Sequence, residues 1–213
     1  MKKVTVRPTT PRTRRFACAT VVIATFAWTL PQQAYAQRET PPPVPDSIRV
    51  PAGDRLFLAG HAFGTQNYIC LPSGAGFAWA LFSPQATLFH NDARQVMTHF
   101  LSPNPEEAGT LRATWQYSVD TSAVWARAIA SSSDSGFVAP DAIPWLLLEV
   151  VGADGGPTGG RRLTVATYIQ RLNTAGGIAP ATGCSQSLDV GTRMFVPYEA
   201  DYFFYRDQHR NDD

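Results

Sequence analysis

Side chains that alternate between apolar and polar every two residues, in short stretches punctuated by turn formers, restrict this chain more than any other feature. From residue 48 onward, apolar segments of roughly four to ten residues are separated by clusters of Gly, Pro, Asn, Asp and Ser, and helical periodicity is scarce. In residues 55–62, Leu56 and Leu58 face one way while Arg55, Phe57 and His61 face the other. In residues 77–82, Phe77, Trp79 and Leu81 oppose Ala78 and Ala80. Residues 143–151 are apolar on both faces, as a strand covered on both sides requires. Leu163, Val165 and Ile169 alternate with Thr164, Ala166, Tyr168 and Gln170, and Val196, Tyr198, Ala200, Tyr202 and Phe204 alternate with Glu199, Asp201 and Tyr205. A sheet built this way hides its apolar face against a second sheet or by closing on itself. The expectation is a single all-β antiparallel sandwich or barrel domain of about nine or ten strands.

Residues 121–131 are Ala-rich enough to tolerate a helix, but their surroundings favour a strand. The Gly-rich stretch 152–160 and the Ser-rich stretch 131–135 read as connectors.

The first 36 residues read as a secretory signal peptide: an arginine-bearing start, a fifteen-residue apolar run over 16–30, and the small-residue triplet Ala34-Tyr35-Ala36. The apolar run is short of the about 20 residues that cross a bilayer, so no membrane span is expected after cleavage. Arg14 and Arg15 are followed directly by Phe16, without the intervening residue usual in a twin-arginine signal, and Cys18 precedes the apolar core, where no lipid anchor would be attached. Residues 37–47 carry Pro41, Pro42, Pro43 and Pro45 and read as an extended tether. Residues 48–206 form the β-rich domain and 207–213 a polar tail. The expected location is secreted or periplasmic.

Removing the signal takes away six of the eighteen cationic side chains and none of the seventeen acidic ones. The twelve that remain are all arginine, giving a net charge of −5 without a single lysine. A phosphate-loop lysine, a Schiff base and a lysine general base are therefore excluded. The acidic balance without basic clusters excludes nucleic acid as a partner. Cys70 and Cys184 are the two remaining cysteines, and in an oxidising compartment they read as a disulfide. Two free buried thiols are the alternative. A redox pair lacks the C-x-x-C spacing.

Several ordered blocks resemble a known family. They are Gly64-Thr65-Gln66-Asn67-Tyr68-Ile69-Cys70; residues 77–88 with Trp79 and Pro84; Ile143-Pro144-Trp145-Leu146-Leu147-Leu148; residues 168–177 followed by Cys184; and residues 196–205. Together, over residues 48–205, they resemble a secreted bacterial and fungal domain of unknown function, the family numbered thirty-four fifty-five, some of whose fungal members carry a malate dehydrogenase label. The resemblance implies export, one β-rich domain and a paired Cys70 and Cys184, and no established activity. The chain departs from the family at Asp120-Thr121-Ser122, where a glycine is usual in the middle. A nicotinamide dehydrogenase needs G-x-G-x-x-G between a strand and a helix. The nearest approach, Gly74-Ala75-Gly76-Phe77-Ala78-Trp79, has Trp in place of the third glycine, so that activity is rejected.

No H-E-x-x-H, G-x-S-x-G or EF-hand loop occurs in the sequence. His61, His90 and His99 could meet at a metal, but their spacing gives no support, and no metal or cofactor is expected. Glu199 and Asp201 lie two apart on one strand, about 7 Å along the backbone, a spacing that suits cation binding or acid–base chemistry on a glycoside but equally a solvated face. His99, Asp120 and Ser122 are the types used in nucleophilic catalysis, a combination that chance also supplies. Tyr168, Gln170, Arg171 and Asn173, beside Gly176-Gly177, could recognise a sugar or a carboxylate. The ligand-binding group expected from the sequence is Gln66, Tyr68, His99 and Arg171. The function expected is that of an exported, non-catalytic binding or surface-associated module for an unidentified small molecule or glycan. The alternative is a secreted hydrolase of glycans or esters, with His99, Asp120, Glu199 or Asp201 as acid and base.

Overall fold

Alternation over long stretches produces eight antiparallel strands: β1 (Asp54–Ser73), β2 (Gly76–Phe89), β3 (Gln95–Asn104), β4 (Thr110–Tyr117), β5 (Ala123–Ser132), β6 (Trp145–Asp154), β7 (Tyr168–Gly176) and β8 (Arg193–Asp207). The computed structural model describes residues 40–209, and in it each strand pairs with the next while β8 pairs back with β1, closing a barrel. Closure removes the free edges that an open sheet would expose. The expected signal segment, residues 37–39 and the last four residues lie outside the described residues. No helix among the described residues is long and apolar enough to cross a membrane.

Eight strands form where the sequence suggested nine or ten. β1 carries the expected segment 55–62 on through Gly64 to Ser73 without a break. Gly64 marks a close approach of backbones: a Cβ there would stand 2.1 Å from the Gln85 carbonyl oxygen and 2.5 Å from Ala86 Cα. Leu163 and Ala166 are buried in the core as parts of a turn, and β7 begins only at Tyr168. Leu56 and Leu58, expected on one face, part company in β1, where an irregularity between them sends the two leucines to different clusters and brings Phe57 against the interior. A bulge of this kind resets the two-residue period that the sequence reading assumed to be continuous.

The interior is filled by Leu58, Leu88, Met97, Trp115, Ile169 and Phe204, among others. A second apolar cluster lies on the outer side, where Trp145, Leu147, Leu172 and Phe203 are covered by Ile48, Val138 and Ala142. This explains why β6 is apolar on both faces. The expected tether meets the barrel early: Val44 packs on the outer cluster, and the 3-10 turn Asp46–Ile48 buries Ile48 completely. The Gln170 amide donates to the Ile48 carbonyl (2.7 Å) and its oxygen accepts from the Tyr205 hydroxyl (2.6 Å).

Two distortions shape the barrel wall. The hairpin joining β3 and β4 leans onto β6, where Asn104 donates to the Val151 carbonyl (3.1 Å) and Glu106 accepts from the Ala153 N–H (3.0 Å). Glu107 receives two bonds from Arg112, both 2.7 Å, and one from Asn104. These bonds hold its carboxyl down at about 2. As β3 leans away, its pairing with β2 shrinks to residues 86–89 against 95–99. The earlier part of β2 instead follows β1, which carries β8 on its other side. The end of this three-stranded extension is fastened by the Cys70–Cys184 disulfide (Cα–Cα 5.4 Å) and by the Trp79 indole N–H, which donates to the Thr182 carbonyl (3.0 Å). Leu81 shares the face of Trp79 but lies out on this extension and is 53% exposed.

Thr121, where the resemblance implied a glycine, adopts a left-handed conformation with φ 59°. A β-branched residue there costs about 1–2 kcal/mol, part of which is offset by its hydroxyl contact with Thr158 Oγ1 (2.9 Å). Thr121→Gly is expected to raise stability by up to about 1 kcal/mol, since it relieves this cost but adds chain entropy to the unfolded state. Urea unfolding checks the direction. Replacing Cys70 and Cys184 together by serine is expected to cost about 2–5 kcal/mol, because their separation of 114 residues constrains the unfolded chain strongly. The same loss should appear when the wild type is melted in reductant.

Candidate functional site

Gln66 and Tyr68 stand two apart on β1, His99 on β3 and Arg171 on β7, and the pleat turns all four toward the barrel interior at the end where β7 approaches Pro144 and Gly177. The Tyr68 hydroxyl donates to the Gly177 carbonyl (2.7 Å). Gln66 packs against the same glycine, whose added Cβ would lie 3.2 Å from Gln66 Cγ. Gln66 is 2% exposed, and its Nε2 has no hydrogen-bond partner.

His99 is buried. Its Nδ1–H donates to the Thr114 carbonyl (2.9 Å), and its ring stacks on Trp115 with centroids 4.1 Å apart. Burial drives its pKa down to about 3; the Thr114 bond opposes this, and the charge of Arg171 adds to it. The ring is therefore neutral at any ordinary pH, with Nε2 an acceptor. Arg171 donates through Nε (3.2 Å) and one terminal nitrogen (2.8 Å) to the Pro144 carbonyl and also bonds the Tyr202 hydroxyl. Tyr198 and Tyr202 bring their hydroxyl oxygens within 3.3 Å of each other. Burial raises the pKa of Tyr68, Tyr198 and Tyr202, with Arg171 working the other way on each. Uncharged phenols and a neutral imidazole thus lie near one guanidinium, and the unbonded Gln66 amide belongs to a side chain packed at Gly177 beside Tyr198.

A groove of about 820 Å3 opens on the outer side, where β2 and β3 separate. Phe63, Phe100 and Phe195 line it together with Thr65, Ser83, Gln85, Thr87 and Thr98, and Gly64, Ala86 and His99 also border it. His99 thus belongs to both the groove and the interior cluster. None of the lining residues carries a formal charge at neutral pH. Sequence reading missed this groove. Its residues come from four strands, and the only local signal is a set of phenylalanines at outward positions.

The other expected groupings do not assemble. Among the described residues, no group of three or more His, Cys, Asp or Glu side chains could hold a metal. Asp120 serves a turn: its carboxylate accepts from the Ser122 hydroxyl (2.6 Å) and from the N–H groups of Ser122 (3.0 Å), Arg161 and Arg162 (both 2.8 Å). Burial works against its charge, yet these bonds keep its pKa below the ordinary value. His99 is not among its partners. Asp201 is held by His61 Nδ1 (2.6 Å) and the Asn173 amide (2.7 Å), whereas Glu199 is exposed. The His61–Asp201 pair faces across β1 and β8, and no sequence spacing announces it. Gln170 lies under the N-terminal segment and Tyr168 packs on the outer cluster, so of Tyr168, Gln170, Arg171 and Asn173 only Arg171 reaches the interior site.

Over residues 51–206 the chain matches the family described as protein of unknown function, DUF3455. The chain belongs to that family. No curated protein and no solved structure matches this DUF3455 domain.

His99 makes stability depend on pH with a definite sign. Its folded pKa is depressed from 6.5 to about 3, so between these values the unfolded chain binds a proton that the folded domain refuses. Stability is expected to fall as pH drops from 6.5, by up to about 1.4 kcal/mol per pH unit. His99→Phe should lose this slope between pH 6.5 and 5.5, above the range in which Glu107 contributes. Urea midpoints measured across that interval check it.

Proposed function

We propose that this DUF3455 domain is an exported, non-catalytic binding module, and that it holds a polar small molecule or a short glycan in the groove between β2 and β3. The lining of that groove carries the reading. Its volume of about 820 Å3 falls within the range of ligand sites. Aromatic rings supply flat apolar contact, while hydroxyl and amide groups supply directional bonds in both senses. Phe63 is 45% exposed and Phe195 56% exposed, large apolar surfaces left beside polar groups. The absence of formal charge favours a neutral, hydroxyl-rich ligand. Export is supported by the signal-like first 36 residues and by the disulfide, which belongs to an oxidising compartment. Hydrolysis has less support, because Asp120 and Asp201 are engaged in structural bonds.

Affinity electrophoresis in gels containing neutral polysaccharides, combined with thermal shifts on free sugars, tests the reading. Retardation by at least one matrix is expected, and Phe63→Ala and Phe195→Ala should each weaken it about tenfold, about 1.4 kcal/mol. Both rings are exposed, so both variants are expected to fold. Unretarded migration in every matrix together with no sugar-dependent shift would remove the proposal, as would retention that ignores both substitutions.

A further inference from the structure

We propose that the interior cluster around Arg171 is a second site, specific for a small organic carboxylate. It does not rest on the groove reading. Arg171 is only half exposed, and no carboxylate among the described residues forms an ion pair with it. Its neighbours Tyr68, Tyr198 and Tyr202 are phenols kept protonated by burial, and His99 is neutral. A partly buried guanidinium without a counter-ion leaves its charge unmatched on the protein side, and a bound anion would supply the match.

The second observation is independent of charge. Gln66 Nε2 is buried and bonded to nothing, at a residue 2% exposed. The indole N–H of Trp115, which is 1% exposed and stacked on His99, is likewise unbonded. Leaving a buried donor unmade costs about 1–3 kcal/mol. Gln66 meets Tyr198 at Gly177, Tyr198 reaches Tyr202, which Arg171 bonds, and Trp115 joins them through His99; unbonded donors and a cation without a counter-ion in one such cluster lack the same complement, an acceptor-only, negatively charged group. A carboxylate is such a group, with two oxygens and a plane that matches the guanidinium fork. Arg171 donates through Nε and one terminal nitrogen to the Pro144 carbonyl, an anchor that orients the fork before a ligand arrives.

The experiment titrates the intact domain, disulfide formed, with sodium acetate and separately with acetamide, at constant ionic strength held with chloride. Melting temperature and tryptophan fluorescence are followed together. A saturable rise in melting temperature with acetate and none with acetamide is expected, and Arg171→Gln should weaken acetate at least tenfold. Gln66→Leu provides a variant that folds whatever the fate of Arg171→Gln. It removes the unbonded donor, so it should raise the melting temperature of the ligand-free domain while weakening acetate severalfold. A merely structural Gln66 would instead lower stability when replaced. Phe195→Ala, in the groove, should leave the acetate response unchanged. Equal responses to acetate and acetamide, no saturable response, or full acetate affinity in Arg171→Gln or Gln66→Leu would each overturn the assignment. Loss of sugar binding in Phe195→Ala alone would bear on the groove and not on this site.

Discussion

The pairing of β1 with β8 is the constraint from which the rest of the structure follows. These strands, near the two ends of the domain, pair from Asp54 with Asp207 to Ile69 with Arg193. Because the partners are so distant in sequence, closure carries a large entropic cost that only a long ladder and a filled interior can offset. The same pairing sets His61 against Asp201 and Gly64 against Tyr198, and so fixes which side chains of β8 enter the interior. Phe204, Tyr202, Ala200 and Tyr198 line that side in succession, running from a purely apolar core toward phenols at the Arg171 end.

The barrel is uneven around its circumference. On one side the N-terminal segment and the loop before β6 add an apolar layer outside the wall; on the other, β2 and β3 part. The parting has an identifiable cause. Asn104 and Glu106 tie the β3–β4 hairpin to β6, and Gly152 makes room for Asn104, since a Cβ there would lie 2.4 Å from its side-chain oxygen. On the other strand, Gly64 lets β1 and β2 come together too closely for a side chain. The groove is the space left between two hairpins pulled in different directions, and His99 sits where their pairing ends.

Polar groups divide accordingly. Those with full sets of partners hold the frame: Asp120 in its turn, Gln170 under the N-terminal segment, and Asp201 between His61 and Asn173. Gln66 and Trp115, each with an unbonded buried donor, face the interior with Arg171, which forms no ion pair among the described residues, while the unbonded indole of Trp145 lies in the outer cluster. In a folded protein nearly all buried polar atoms are satisfied, so each of these exceptions calls for a reason of its own.

The sequence by itself determined the class of fold, because a two-residue period can be buried only by sheets, and it determined the cysteine pair, because only two remain beyond the signal-like segment. It also exposed the odd residue in the turn after β4, where threonine stands in a left-handed conformation that glycine adopts at lower cost. That Gln66, Tyr68, His99 and Arg171 form one group was an expectation at the level of sequence. Which face each would take was not legible there, since an irregularity such as that between Leu56 and Leu58 reverses the alternation without any mark in the composition. Choosing a barrel over a sandwich required the pairing of β1 with β8, an interaction between chain segments more than a hundred residues apart. The groove, the His61–Asp201 pair and the unsatisfied state of Gln66 likewise belonged to the tertiary structure alone. Each depends on distances between strands that no local pattern encodes, because side chains far apart in sequence meet only after the sheet has twisted and closed.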